Sequence, residues 1–591
     1  MRERLRTFIE PIELGWRVDR KAALSLAGFT VATTLGLPLR AIWFGLLIDA
    51  LVEGASTSVY VFAVALSLTD GIRSWTLLQA NMVKLDVQDR ALLHLQTETM
   101  GLSGATATIA HHEDPAHIDR LAILRGGLSQ LAGAYATAVE SSMIVLRIAV
   151  TVVLLAWIDP ILVFLPVFAI PSVLVGRRAE RVNQAGIAKA TPFERAAQQW
   201  ERMLTVASAV KEVRIFRLTP TLLERFESDS ARSDRVQTIS KAKTELMRFA
   251  AWAVFGVGFA LALVLLARRL STGGVTAGDF VLALVLGAQV NMQVAEAVTA
   301  TATMTALGGM LEHRRWLQDY ATSVSTSGSA AVPERLERGI RLEGVTFAYG
   351  DGPKSLDEID LFLPAGTTVA LVGENGAGKT TLVKLLTRMY SPTAGTITVD
   401  DIDLEQIDAS AWREGVTAAF QDFMRFEFRL RETVGVGDVA AITDEARINA
   451  AMARAGASSL VDTLPDGLES QVGPTFGGVD LSGGQWQGIA LSRGQMRHEP
   501  LLQVLDEPTA ALDPHAEQAI FETFVSSARH ARLTTGAVTV LVSHRFSTVR
   551  AADLIVVLDH GRVVEQGSHE ELVDAGGLYA ELYELQARTY R

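Results

Sequence analysis

The nineteen residues 249–267, FAAWAVFGVGFALALVLLA, contain no charge. As a helix rising 1.5 Å per residue they extend about 28 Å, close to the hydrocarbon thickness of a bilayer. Such a segment narrows the fold sharply, because in lipid every backbone amide must be satisfied within a helix or a closed barrel. Residues 22–48 form a second strong stretch interrupted by Arg40, and 59–80, 138–158, 160–176 and 279–298 are weaker candidates. An all-α domain of six crossings over residues 22–320 is therefore expected. Pro160 directly follows Asp159 between two apolar stretches and predicts a tight helical reversal. Residues 49–58 predict a second reversal on the same side of the membrane.

Orientation follows from the longer connections. Lys84, Arg90, Arg120 and Arg125 lie between the second and third segments, and Arg177, Arg178, Arg181 and Lys189 follow the fourth. With the basic N-terminus they place the chain start, the long connections and the C-terminal region in the cytoplasm, in a multi-pass protein of the cell membrane. Arg268 and Arg269 fall on the outer side and stand against this rule. Residues 1–21 lack the basic-then-apolar order of a cleavable signal and read as a short amphipathic helix lying on the membrane surface before the first crossing. Residues 84–127 and 177–248 are too long for turns and have helical composition, so the membrane helices should extend well beyond the bilayer. Arg40, Asp70, Arg73, Arg147, Asp279 and Glu296 sit in or near the crossings, where interface placement or a structural pair is favoured over a polar translocation cavity; Arg40 and Glu296, flanked by apolar sequence, are the best candidates for such a cavity.

Charge and composition exclude several classes of function. A net charge of -12 gives no support to nucleic-acid binding, and the absence of cysteine removes disulfides, thiol nucleophiles and thiolate metal sites. The eleven histidines form no HExxH pattern, and His111, His112 and His117 read as polar-face residues.

The sequence changes character after the last crossing. Residues 321–333, within a linker of 321–339, lack apolar periodicity, and the alternating IRLEGVTFAYG that follows suits a strand opening a second domain over 340–591. This domain should be α/β, because TVALVGENGAGKTTLVKLL places a glycine-rich turn between an apolar strand and a helical pattern. Within its GENGAGKTT, Gly373, Gly376 and Gly378 permit a close turn whose amides surround phosphate, with Asn375 and Thr381 in the same loop-helix unit. Lys379 reaches the outer phosphates and Thr380 suits Mg²⁺, a full Walker A arrangement. Downstream, LLQVLDEP predicts a strand ending in Asp506, suited to the Mg²⁺ shell, and Glu507, suited to orienting or deprotonating water. ATP and Mg²⁺ are the expected cofactors.

The motif LSGGQ at 481–485 makes the family resemblance specific. The chain resembles an ATP-binding cassette transporter of the fused six-helix exporter type, a half-transporter, over nearly its whole length and most strongly over 340–572. An ABC-specific helical subdomain in the ATPase domain is implied. The resemblance assigns Tyr349 to adenine stacking, Gln421 to a loop sensing Mg²⁺ and the membrane domain, Asp513 to communication between paired cassettes and His544 to a switch near the terminal phosphate. From the residues alone, Tyr349 could fill a core, Gln421 and His544 could satisfy local hydrogen bonds, and Asp513 could cap the helix opening at Pro514. Ser482, Gly483, Gly484 and Gln485 would present donors at a helix N-terminus to ATP held by the opposite cassette, which implies a dimer with an identical or a homologous half-transporter. The sequence departs from the family at Gly488 and Gly494, and the extra glycines predict a signature helix that is either looser or fitted to an altered partner, while Arg493 is retained.

The resemblance implies ATP-dependent export of a hydrophobic or amphipathic compound, with peptide, lipid and secondary metabolite as cargo classes and membrane lipids as surroundings. Import by the same architecture is the alternative, and a soluble P-loop ATPase acting on nucleic acid or protein is disfavoured by the apolar segments. Residues 111–121 and 211–226 resemble the cytoplasmic segments that contact the cassettes in this family.

Overall fold

The computed structural model describes residues 2–324, 328–506, 525–526, 528–543 and 546–589. Two compact units emerge, one of residues 1–100 and 122–316, the other of residues 101–121 and 317–591. Each is taken by itself.

The first unit is helical. The helices up to residue 324, of which α4 lies in the second unit and α3, α5 and α11 run into it, are α1 (Arg2–Val18), α2 (Arg20–Val52), α3 (Ser56–Ala105), α4 (Ala110–Glu113), α5 (Pro115–Ala132), α6 (Ala134–Ile158), α7 (Leu165–Phe168), α8 (Ile170–Thr205), α9 (Ala207–Ile215), α10 (Thr219–Ser271) and α11 (Ala277–Val324). Among the described residues, six helical stretches are long and apolar enough to cross a membrane, matching the six expected. The second, fourth, fifth and sixth run far past a bilayer's thickness, as the long polar connections predicted. Tyr60 and Trp157, near the outer ends of their helices, are 74% and 86% exposed, as suits aromatic rings at a membrane interface.

The fourth crossing is less regular than its sequence suggested. It opens with a 3-10 turn over Pro160–Phe164 and the single-turn α7 before α8 begins. Pro160, Pro166 and Pro171 each remove a backbone donor within a dozen residues, so a continuous α ladder cannot form there. Asp159 caps that turn by accepting from the Ile161 amide at 2.9 Å, and Arg269 pairs with its carboxylate at 2.5 Å. Asp159 is only 2% exposed, so Arg269 answers a buried charge; this explains a basic residue on the outer side. At the other outer reversal, Asp49 accepts from the Gly278 amide at 2.6 Å and the Thr276 hydroxyl at 2.8 Å. A Cβ at Gly278 would lie 2.2 Å from the Gly45 carbonyl, so the absence of a side chain lets α2 and α11 meet.

Farther along the helices, the polar residues are partnered. Asp70 lies 3.6 Å from Arg40 and 3.3 Å from Arg73, Arg147 pairs with Glu296, and Gln293 donates to Thr151 at 3.1 Å. Arg40 and Glu296, the strongest cavity candidates, are thus each held in an ion pair. Toward the cytoplasm α8 and α10 pack along each other, with Gly186 leaving room for Ser240, whose hydroxyl donates to the Val182 carbonyl at 2.9 Å.

The second unit holds two sheets. A four-stranded antiparallel sheet in the order β2-β1-β4-β5 comprises β1 (Gly339–Ala348), β2 (Lys354–Pro364), β4 (Ala394–Val399) and β5 (Ile402–Asp403). The second, ordered β10-β9-β3-β8-β7-β6, comprises β3 (Thr368–Val372), β6 (Val416–Ala419), β7 (Leu502–Asp506), β8 (Val538–Val542), β9 (Leu554–Asp559) and β10 (Arg562–Gly567). All its pairings are parallel except that of β9 with β10. β7 and β8 are buried at every position, as central parallel strands covered on both faces must be. In β1 the alternation expected from sequence appears as buried Ile340, Leu342, Val345 and Phe347, with a register shift between Leu342 and Val345.

Besides the helices Phe546–Val549, His569–Ala575 and Leu578–Thr589 toward the C-terminus, the described helices of the unit include α12 (Lys379–Leu386), α13 (Ala409–Glu414), α14 (Leu430–Gly435), α15 (Glu445–Arg454), α16 (Ser458–Thr463) and α17 (Gly483–Gly494). The last four build a separate small core from Leu430, Val434, Ile448, Met452, Leu460, Trp486 and Ile489. This is a helical subdomain attached to the edge strand β6 through α17.

Candidate nucleotide site

Parallel strands gather their following loops at one edge of the sheet, where ligand sites of open α/β sheets form. Register makes this concrete: Leu371 of β3 and Asp506 of β7 both pair with Val542 of β8, and Leu505 pairs with Ala419 of β6. The turn at 373–378, Asp506 and Gln421 therefore leave the sheet at the same edge. Asp506 is 6% exposed at its strand end, while Gln421 is exposed in the turn after β6. Glu507, Asp513 and His544 lie outside the described residues.

The glycine turn meets the geometry that a phosphate cradle demands. Gly373, Gly376 and Gly378 have φ of +151°, +86° and +105°, a region that L side chains rarely adopt. Gly378 is also the N-cap of α12, so the helix begins with unsatisfied amides directed at the turn. Asn375 and Thr380 are exposed around it, and Thr381 is buried. Lys379 folds over the turn and donates to the carbonyls of Gly373 and Glu374 at 2.7 and 2.8 Å, putting its ammonium inside the loop. The chain thus has the donors and the charge to hold a polyphosphate, with Thr380 and Asp506 supplying oxygens suited to Mg²⁺.

Tyr349, expected to stack on adenine, is 36% exposed just after β1. Its hydroxyl lies 3.2 Å from that of Thr381, and its ring makes edge contacts with Phe347 and Tyr390 at 4.9 and 5.4 Å.

Ser482, Gly483, Gly484 and Gln485 stand in a different layer, at the N-terminus of α17. Ser482 caps the helix, accepting from the Gln485 amide at 3.3 Å, while the Gln485 side chain accepts from the Ser482 amide at 2.8 Å. The expectation of a looser signature helix is corrected here. Gly488 and Gly494 are buried; a Cβ on Gly488 would meet Ala457 at 3.3 Å, and one on Gly494 the Ala418 carbonyl at 3.2 Å. The extra glycines let α17 sit close against β6 and the residue before α16. Arg493 extends from α17 to lie 4.6 Å from the Phe426 ring and donates to the Thr433 and Met424 carbonyls at 3.2 and 3.3 Å. Burial lowers its pKa to about 10.

Residues 101–121 pack on this same unit. The Ile109 amide donates to the Met389 carbonyl at 3.1 Å, and Arg413 donates to the Ala107 carbonyl. Glu113 accepts from Lys384 at 2.7 Å and from the Tyr390 hydroxyl at 2.7 Å. Burial acts against the Glu113 carboxylate, but the bonds from Lys384 and Tyr390 prevail and hold its pKa below the usual range. Burial likewise opposes the Lys384 ammonium, yet Glu113 raises its pKa overall, and burial followed by Glu113 raises that of Tyr390. His111, read from sequence as a polar-face residue, is 1% exposed and takes a 2.9 Å hydrogen bond with the Ser103 carbonyl. Lys384, Tyr390 and Arg413 carried no sequence signal, since each is a lone residue outside any motif.

Comparisons with known proteins identify the family. A family profile described as ABC transporter matches residues 356–510. An ATP-dependent lipid A-core flippase of Bordetella avium is 30% identical over 457 residues, covering 76% of this chain and 74% of that protein. The chain belongs to the ABC transporter family. The flippase of the same description from Ralstonia nicotianae is 41% identical over 259 residues, but these span 43% of this chain and only 42% of that protein. The match to the Bordetella pertussis flippase, 31% identical, covers 72% of this chain and 66% of its relative. A solved structure, "Structure of a bacterial Atm1-family ABC exporter with ATP bound", superimposes with a TM-score of 0.78 over 97% of this chain and all of its own, at 24% identity. That likeness extends the ABC transporter fold to both units, and the chain is a multi-pass membrane protein with a cytoplasmic nucleotide-binding domain.

Proposed function

We propose that this chain is half of an ATP-driven exporter of a lipid-like or other amphipathic compound. The observation that carries the reading is a division within the chain. Gly373, Gly376, Gly378, Lys379 and Asp506 share one sheet edge, whereas the Ser482 cap stands exposed on another layer, so one chain holds two unlike faces of a nucleotide site. Two copies, or this chain and a homologous one, would join those faces around ATP. The identical pairing is favoured because both faces belong to one sequence.

In this reading the turn amides and Lys379 bind the phosphates, Tyr349 stacks on the base, and Thr380, Asp506 and Gln421 hold Mg²⁺. Bound Mg²⁺ supplies positive charge against that developing on the transferring phosphoryl group. Glu507 orients and deprotonates water, His544 holds the terminal phosphate side, and Asp513 links the paired cassettes. The helix N-terminus behind Ser482, Gly483, Gly484 and Gln485 adds donors from the partner cassette. Closure of the pair shifts the membrane helices between two exposures, so transport follows ATP occupancy. The cargo class follows the relatives, whose names specify lipid A-core flipping.

The test is ATP-dependent accumulation of lipids, amphipathic metabolites and peptides in inside-out vesicles containing the chain. Uptake that vanishes in Glu507→Gln, with ATP binding kept, supports export. Outward movement supports import, and no ATP-dependent movement of any member of the panel rejects the transport assignment.

A further inference from the structure

Residues 101–121 reach, through Glu113 and Lys384, the side chain of Tyr349, proposed above to stack on the nucleotide base. Glu113, the last residue of α4, lies 2.7 and 2.9 Å through its two oxygens from the Lys384 ammonium. Lys384 belongs to α12, the helix that begins with Lys379 and Thr380. Its ammonium is 5.4 Å from the centre of the Tyr349 ring and 5.8 Å from that of Tyr390. The Tyr390 hydroxyl donates to Glu113 at 2.7 Å, and Tyr349 is pinned at its far end by Thr381, 3.2 Å away. The Tyr349 ring is thus fixed by four contacts: a hydroxyl on α12, the edges of two aromatic rings, and a cation whose place is set by Glu113.

We infer that Glu113 is a positioning residue for nucleotide-base binding, acting through Lys384 on Tyr349. The inference rests on the base-stacking reading of Tyr349. A lysine side chain has four rotatable bonds, and without its carboxylate the ammonium would leave the aromatic rings for water. With the carboxylate in place it stays over the ring, and the ring stays where a base can stack. Because binding and docking share this contact, each strengthens the other, so ATP tightens the seating of residues 101–121. The triphosphate contacts depend on the glycine turn and Lys379 and lie outside this chain of contacts. The base is the part of the nucleotide through which this membrane segment is felt.

The experiment uses the purified full-length chain in lipid nanodiscs and compares ATP with inorganic tripolyphosphate, which has no base. Glu113→Gln and Lys384→Met are expected to raise the KM for ATP about threefold to tenfold, the scale of one cation–π contact. Their kcat and the Ki of Mg²⁺-tripolyphosphate against hydrolysis should stay within about twofold of the unmodified chain, and unchanged kcat shows an intact fold. Lys384→Met keeps the apolar stem and lies within the cassette, so it remains informative if Glu113→Gln undocks the segment. An unchanged KM, a fall in kcat alone, or equal losses for ATP and tripolyphosphate overturn the inference. Tyr349→Ala separates the two readings: if it leaves the ATP KM unchanged, base stacking fails; if it raises KM while Glu113→Gln does not, only the positioning role fails.

Discussion

The three glycines of the phosphate turn should differ in their tolerance of alanine, in an order the surrounding atoms dictate. At Gly376, φ is +86° and nothing lies within 4 Å of an added Cβ. Alanine there bears only the left-handed backbone, about 1 kcal/mol. At Gly378, φ is +105° and the Cβ would stand 2.7 Å from Leu356 Cδ2 and 2.9 Å from the Ser355 carbonyl. The leucine can turn but the carbonyl belongs to β2, so about 2–3 kcal/mol is expected. At Gly373 the Cβ would lie 2.2 Å from the Leu558 carbonyl, in a strand paired on both sides by β3 and β10. Relief requires the strand to move roughly 1 Å, costing about 3–5 kcal/mol.

For a domain of this size each kcal/mol lowers Tm by about 2–4 °C. Differential scanning calorimetry of the full-length chain in detergent should therefore show the cassette transition displaced by about 3 °C in Gly376→Ala and by about 10 °C or more in Gly373→Ala, with Gly378→Ala between. The added MgATP shift should survive best in Gly376→Ala. Equal displacements in all three, or Gly376→Ala as the worst, would refute the reasoning, because the order rests on neighbouring backbone atoms rather than on glycine content.

Two further outcomes follow from charge. Glu113 has a lowered pKa in the fold, so its contribution is present above the ordinary carboxylate value and is lost as pH falls through the lowered one. Lys384 has a raised pKa, so its contribution is present below the ordinary lysine value and is lost as pH rises through the raised one. Amide protection of residues 105–117, corrected for intrinsic exchange, should stay level from about pH 6 to about pH 9 and fall below about pH 4; a step near neutrality would refute the assignment to Glu113 and Lys384. In the membrane unit, Glu296→Gln leaves Arg147 without its partner and should lower stability by about 1–3 kcal/mol, while replacing both with Met recovers most of the loss. Thermal unfolding in nanodiscs checks this, and a double variant as unstable as the sum of the single ones rejects the pairing as the cause.

Much of this protein was legible in its sequence because the relevant physics is local. A run such as 249–267 has no other way to satisfy its backbone in lipid, and a glycine turn between an apolar strand and an amphipathic helix has few uses besides phosphate. A helix N-terminus at Ser482–Gln485 and a strand ending at Asp506 were likewise expected, whereas the capping box between Ser482 and Gln485 and the complete burial of β7 came from the structure. What lay beyond the sequence involves residues remote in the chain. That Arg269 answers Asp159, that Glu296 is held by Arg147, and that Gly488 and Gly494 allow close packing rather than looseness depends on which surfaces meet. Prolines 160, 166 and 171 were visible, but the broken start of the fourth crossing was not drawn from them. The same holds for Glu113, Lys384 and Tyr349, whose contact spans more than 230 residues of sequence and is made by no motif. Periodicity and turn chemistry are properties of neighbouring residues and survive in the linear text; charge pairing and close packing are properties of distance in space, which only the tertiary fold sets.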